Sequence, residues 1–362
     1  MIGSRPRSRP AATQAGASLV AVAMAALAAA CGGGPDGADA PADAATDAAP
    51  DRTPAELADD TAPYALPADC AGLPTWELGA ERHPQRVAAA SAREAWVVVW
   101  GDLLHLQPDG AVVAEPLVGV NDVWRCPGVT WAVGRAGLVA RKPDGGAWQR
   151  LDLELDVPDG FDDVRDGGVG CDGDVWVGGH REAFHHDGAG WRAIPTLPTP
   201  FDPDDPGAGH LEHDVARVRG AGRWRVATSN YGETLAYFPE LDAFDVVEGT
   251  DDLISDAVVF RDGTGATLYH GHALVFDRDV ALMHVASPLH AVRAARRADD
   301  DIWLVQNATA RHFDGATVTD EPTPIFNTDV DARADAVWVA GHGGAAVRSA
   351  AGWCHVATVS SP

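Results

Sequence analysis

The chain is poor in basic charge and carries no persistent helical pattern. Among 362 residues, 53 are Asp or Glu against 27 Lys or Arg, a formal net charge of −26. A field of that sign repels phosphate backbones and anionic lipid, so nucleic acid and a charged bilayer surface are excluded as partners of the folded part. No apolar run reaches the roughly 20 residues needed to cross a bilayer as a helix. After Cys31 no segment holds a 3.6-residue apolar period, which excludes helical folds and leaves strands. Several enzyme motifs are missing as well: there is no GxSxG turn, no HExxH pair, no phosphate-cradling glycine loop and no dinucleotide fingerprint. Cysteine is scarce, five in all, and no pair is spaced CxxC, which argues against a thiolate metal cluster.

What is present repeats. The stretch Gly170–Ile194 holds an apolar burst at Val175–Trp176–Val177, a second run around Ala183–His185, an Asp187–Gly188 turn and a third run opening at Trp191. Three short strands and two tight turns fit in it. Aligned on a large apolar residue of the second strand, the copies fall at Trp96, Trp131, Trp176, Trp224, Leu268, Trp303 and Trp338, spaced 35 to 48 residues apart. A unit of that length cannot bury its own faces, and its repetition signals a ring or solenoid. Asp109–Gly110, Asp144–Gly145, Asp187–Gly188 and Asp314–Gly315 recur between third and fourth strands, where both residue types tolerate the positive φ of a hairpin turn. The expected fold is all-β, a seven-bladed β-propeller. Thr75–Leu78, around Trp76, and Trp353–Val359 both read as closing strands, and the sequence leaves open which completes the last blade.

The pattern DGDVWVGG followed by a short strand and DGxxW, with NDVW at Asn121–Trp124, resembles the repeats of two-component-regulator-type β-propellers. Pro143–Trp148 (PDGGAW) is similar to a degenerate Asp-box of sialidase-like propellers. The resemblance covers roughly residues 85–358 and implies fold rather than activity, because propellers host unrelated functions.

The N-terminus reads as an address. A basic, proline-broken start leads into small and apolar residues from Ala17 to Ala30, as in the apolar region of a secretory signal. Leu27–Cys31 (LAAAC) resembles the lipobox of bacterial lipoproteins, although the leucine stands four rather than three before the cysteine; a plain secretory signal is the alternative. The resemblance implies that residues 1–30 are removed, that Cys31 is lipidated, and, with Gly32 following, an outer-membrane site facing periplasm or cell surface. Removal takes away Arg5, Arg7 and Arg9, leaving the mature chain more acidic still. Residues 31–63 are almost wholly Gly, Pro, Ala and Asp, a composition that extends rather than folds, and are expected to form a disordered acidic tether. The propeller is expected over residues 64–362, as a monomer.

Cys126 and Cys171 each lie five residues before a repeat anchor, so they occupy equivalent turns of adjacent blades, where an exported protein is expected to bond them. Cys70 and Cys354 then remain, one at each end of the ring, to lock its closure.

Residues four past each anchor are neighbours on one rim: Trp100, Arg135, His180, Thr228, His272, Asn307 and His342. First-strand entrances add Asp122, Asp163, Asp214, Asp256 and Asp329. The longest connection, Pro195–Asp214, projects onto the same face and brings His210, Glu212, His213 and Asp214 together. Imidazole and carboxylate are ligands for zinc or calcium, which makes a divalent cation the one cofactor to consider. Ring-entrance aspartates are equally ordinary turn formers. His185–His186–Asp187 lies away from this rim and reads as structural. Among arginines, nothing in the spacing selects Arg135, Arg165, Arg217 or Arg293 as a carboxylate grip. The reading is therefore a non-enzymatic module that binds a protein, peptide or glycan through its loop-rich face. Alternatives are a cation-dependent polysaccharide lyase or glycosidase and a structural scaffold of an envelope assembly.

Overall fold

Runs such as Glu94–Val99 (EAWVVV) and Ala336–His342 (AVWVAGH) are rich in β-branched and aromatic residues, and in the computed structural model they are strands. The structure describes residues 54, 56–151, 153, 168–171, 173–179, 182–197, 215–229, 233–249, 254–269, 272–277, 280–286 and 293–360. Among them, consecutive strands form seven sheets: Arg86–Ser91 to Val112–Val118, Val120–Cys126 to Gln149–Arg150, Val169–Cys171 to Trp191–Pro195, Val215–Ala221 to Ala243–Gly249, Ile254–Val259 to Val280–Ala286, Arg293–Ala298 to Val318–Pro322, and Phe326–Arg333 to Gly352–Thr358. Each is an antiparallel meander. First strands of successive sheets lie side by side, and that of the seventh lies beside that of the first. The chain thus circles an axis with first strands innermost, the arrangement of a β-propeller.

The cores lie between sheets rather than inside them. Trp338, Ala340 and Val347 of the seventh sheet pack with Val97 and Leu104 of the first, and Trp176 and Ala183 of the third pack with Val218 and Leu235 of the fourth. Trp131, Trp176, Trp303 and Trp338 are fully enclosed, each the third residue of its second strand. Replacing one with Ala costs about 3–5 kcal/mol.

Two expected anchors are displaced. Trp224 opens its strand instead of taking the third place, which belongs to Val226. Its indole lies over Gly263 in the next sheet's turn and donates to the Arg261 carbonyl at 2.9 Å, so its size marks a turn contact rather than a core position. In the fifth sheet the third place is Thr267, not Leu268; the buried Thr267 hydroxyl bonds that of Thr234 at 2.7 Å.

Both ends of the ring meet in the seventh sheet. Gly352–Thr358 completes it, and Trp76–Glu77 adds a fifth strand, parallel, with Trp76 opposite Ala357. Cys70 is bonded to Cys354 and Cys126 to Cys171. Residues 1–53, with the expected leader and Cys31, lie outside the described residues.

Residues 56–63, expected within the tether, make contacts with the propeller. Residues 56–63 lie on the propeller because their acids meet arginines. Leu57 N–H donates to the Gly222 carbonyl at 2.7 Å, Asp59 pairs with Arg296 at 2.8 Å, and Asp60 pairs with Arg297 at 3.2 Å. Tyr64 then accepts from the Trp303 indole at 2.7 Å and donates to Asp301 at 2.8 Å.

Candidate functional site

Loops between second and third strands, together with entrances to first strands, occupy the propeller end opposite that segment. In the first sheet the connection is two residues long, Val99 pairing with Asp102 around Trp100 and Gly101, and both central residues have positive φ, 53° and 87°. Such a turn selects Asn, Asp or Gly. Trp100 is bulky and strained there, and 69% exposed.

Trp100 stands beside a cluster of three rings, joined to it through the backbone of the loop before the first sheet. Its indole donates to the Glu81 carbonyl at 3.1 Å, in the loop that carries His83 two residues on. The His83 ring lies 4.9 Å from that of His342, and its Nδ1 accepts from the Gly343 N–H at 3.2 Å. His342 in turn meets Phe326 edge-on at 6.1 Å, its partner across the strand pair. Phe326 is 52% exposed, and Asn327 beside it donates to the Asn307 carbonyl at 2.6 Å. Beyond Trp100, Val118 is exposed, and Arg135 rests on Gly119. The rings of this band come from the seventh and first sheets, with Asn307 of the sixth and Arg135 of the second beside them. Exposed Arg82, Glu81, Asp102 and Arg135 edge it with both signs of charge.

Of the residues singled out from sequence, His342 belongs to this band. His272 opens the strand His272–Asp277 opposite Ala286, and with Thr267 in the anchor place it is one residue out of step with the other rim positions. The side chain of His272 and the whole of His180, His210, Glu212, His213 and Asp214 lie outside the described residues. Thr228 is buried within its strand rather than on the rim. Among the described residues no three His, Cys, Asp or Glu side chains converge as a metal site.

The entrance aspartates that are described hold the ring. Asp329 accepts from the Val87 N–H at 2.9 Å and Asp256 from the Ala294 N–H at 3.1 Å, each reaching the first strand of the next sheet. Asp256 also takes Arg219 at 2.9 Å, and Asp122 stands 3.6 Å from Arg86. Asp163, like Arg165, lies outside the described residues.

Histidines at the other strand ends are accounted for by a repeated device. In the first, third and sixth sheets an acid opens the second strand, a tryptophan follows two residues later, and a histidine stands eleven residues after the acid on the third strand. His105 meets Glu94 at 2.8 Å, His185 meets Asp174 at 2.6 Å, and His312 meets Asp301 at 2.9 Å. Each imidazole stacks on its tryptophan, with ring centroids 4.3, 4.1 and 4.3 Å apart. Asp174 further binds Arg225 at 2.5 Å and the Trp176 indole at 2.9 Å. Burial pushes the Asp174 carboxyl up, but His185, Arg225 and Trp176 outweigh it and hold the group below its ordinary range. The device was readable as an acid-to-histidine interval of eleven. The aromatic band was harder to see, since only Trp100 and His342 fall at repeat positions, and His83 and Phe326 come from irregular connections.

No family model matches the chain, and no curated protein does. Solved structures do. Virginiamycin B lyase from Staphylococcus aureus superposes with a TM-score of 0.56 at 13% identity, over 74% of this chain and 94% of that one. YCF48 bound to D1 peptide gives 0.54 at 15%, over 80% and 99%. The extracellular domain of the hybrid two-component system BT4673 from B. thetaiotaomicron gives 0.54 at 10%, over 75% of this chain and 39% of that one. Likeness at such identity shows the fold, an all-β β-propeller, and leaves function to the site.

Proposed function

We propose that this protein is a seven-bladed β-propeller, lipid-anchored outside the cytoplasm through Cys31, that binds a protein, peptide or glycan partner with its loop face and catalyses no reaction. The observation that carries the binding role is the band Trp100–His83–His342–Phe326. A Trp held exposed in a left-handed turn gains the fold little beyond one exposed hydrogen bond, and exposed aromatics of this kind supply most of the energy of recognition surfaces. The peptide-bound neighbour gives a precedent for recognition on this scaffold, and two disulfides suit an oxidising compartment.

The test uses site-specific photo-crosslinking on the full chain, expressed in its own envelope, with the crosslinker at Phe326 and, as control, at exposed Leu241 near the opposite end. Phe326 should give one discrete adduct, identified by mass spectrometry, or capture an arrayed glycan. Trp100→Ala should weaken that partner by about 2 kcal/mol, roughly thirty-fold, with the melt unchanged. Equal labelling from both positions, or wild-type affinity in Trp100→Ala, would refute the reading.

A further inference from the structure

The end of the propeller opposite the aromatic band carries the turns between first and second strands, and there three guanidiniums stand in a row. Arg261 lies in the fifth sheet's turn, Arg296 and Arg297 at the end of the sixth sheet's first strand. In the same turns Asp299 is bonded to Arg296 and Asp301 stands 2.6 Å from Arg297, while Asp262 accepts from the Thr264 N–H at 2.9 Å and Asp300 is exposed. The three guanidiniums form a cationic row in a chain of net charge −26. The row is met by residues 56–62: Glu56 on Arg261, Asp59 on Arg296 at 2.8 Å and on Arg261 at 3.7 Å, Asp60 on Arg297 at 3.2 Å. Backbone bonds set the register. Leu57 N–H donates to the Gly222 carbonyl at 2.7 Å, Asp60 N–H to the Arg297 carbonyl at 2.9 Å, and Arg297 donates to the Ala62 carbonyl at 2.5 Å.

The contacts are of two kinds. Residues 56–62 (ELADDTA) have Leu57, half-buried, as their one large apolar side chain, and are held by charge and a few edge bonds. From Tyr64 onward the chain is fastened differently: the ring packs with Trp353 and Ile325 around Trp303, Arg297 lies 4.1 Å over it, and Cys70 is covalently tied. A segment with so little buried apolar surface opens at small cost, whereas the part beyond Tyr64 opens only with the sheet.

We propose that the row Arg261–Arg296–Arg297 is a binding groove for extended acidic peptide, with residues 56–62 as its resident, exchangeable ligand. Seated, the segment brings the chain out at the fourth sheet; released, it frees seven residues, about 23 Å of reach, between the acidic stretch before it and the ring. An acidic strand from another chain takes the same place only when the resident leaves.

Amide hydrogen exchange on the full chain tests the first half. Raising salt from about 0.05 to 1 M shortens the screening length to about 3 Å. Exchange at Leu57 and Asp60 should then quicken more than ten-fold, while Ala65, whose N–H donates to the Ala334 carbonyl at 2.7 Å, keeps its protection. Equal response at all three amides, or none, would overturn the proposal. The second half uses the full-chain variant Asp59→Asn/Asp60→Asn, in which only exposed or half-buried acids change, and a labelled synthetic peptide of residues 54–64. The peptide should bind that variant at low salt, bind the parent at least ten-fold more weakly, and lose binding when its own two aspartates are Asn. Failure to bind the variant, or indifference to those aspartates, would remove the groove. Neither result bears on the loop face.

Discussion

Trp100 is the residue at which fold and function pull apart. Left-handed backbone at a bulky residue costs of order 1–3 kcal/mol, and Trp100, mostly in solvent, recovers little of that by burial. Trp100→Gly should therefore melt at or above the parent temperature while losing the partner; a melt lowered by more than a few degrees would mean that the indole supports the fold. Asp174 is the opposite case. It is buried with Arg225 and His185 against it, so Asp174→Ala strands a guanidinium that is 1% exposed and should cost about 3–5 kcal/mol in a denaturant titration. Its carboxyl is held below 3.8 in the folded chain. The stabilisation is thus present in full above that value and is lost as pH falls through the lowered one. Parent stability should fall off more steeply than that of Asp174→Asn in acid; parallel curves would show that Asp174 does not carry the difference.

The strand repeats are legible because they are periodic. A tryptophan third in each second strand, with Asp-Gly turns in all but the last, declares the first, second, third, sixth and seventh sheets, where the enclosed residue is also the aromatic one. The fourth and fifth sheets misled for the same reason. There the third place went to Val226 and Thr267, and the eye was drawn to Trp224, which caps a turn. Cysteine pairing was legible from equivalence around the ring. The docking of residues 56–62 was not, because composition that extends a free chain says nothing of the arginines it meets 200 residues on. The two disulfides differ in span, 284 residues against 45. By chain entropy they are worth at most about 5.6 and about 4 kcal/mol. Cys70→Ser/Cys354→Ser should thus lower the melting temperature more than Cys126→Ser/Cys171→Ser, and the reverse order would mean that strand pairing at Trp76–Glu77 closes the ring without its bond.

For the whole molecule, the two ends of the propeller carry different chemistry. One presents aromatics to solvent; the other binds the chain's own acidic segment. If Cys31 is acylated, the side that receives the tether turns toward the membrane and the aromatic band faces away. Cys31→Ala should move the protein from the membrane pellet to the soluble envelope fraction and abolish labelling by a palmitate analogue. Retention in the pellet with labelling lost would mean that the folded domain itself holds the membrane.

The bond between Cys70 and Cys354 also decides how the molecule carries load. A pull applied ahead of Glu56 first peels residues 56–62 from their arginines. It then reaches Tyr64 and the disulfide, through which tension passes straight into the last strand. Everything between the two cysteines is bypassed. Under oxidising conditions the ring therefore cannot be drawn out end to end, and what yields to traction is residues 56–62 rather than the sheets.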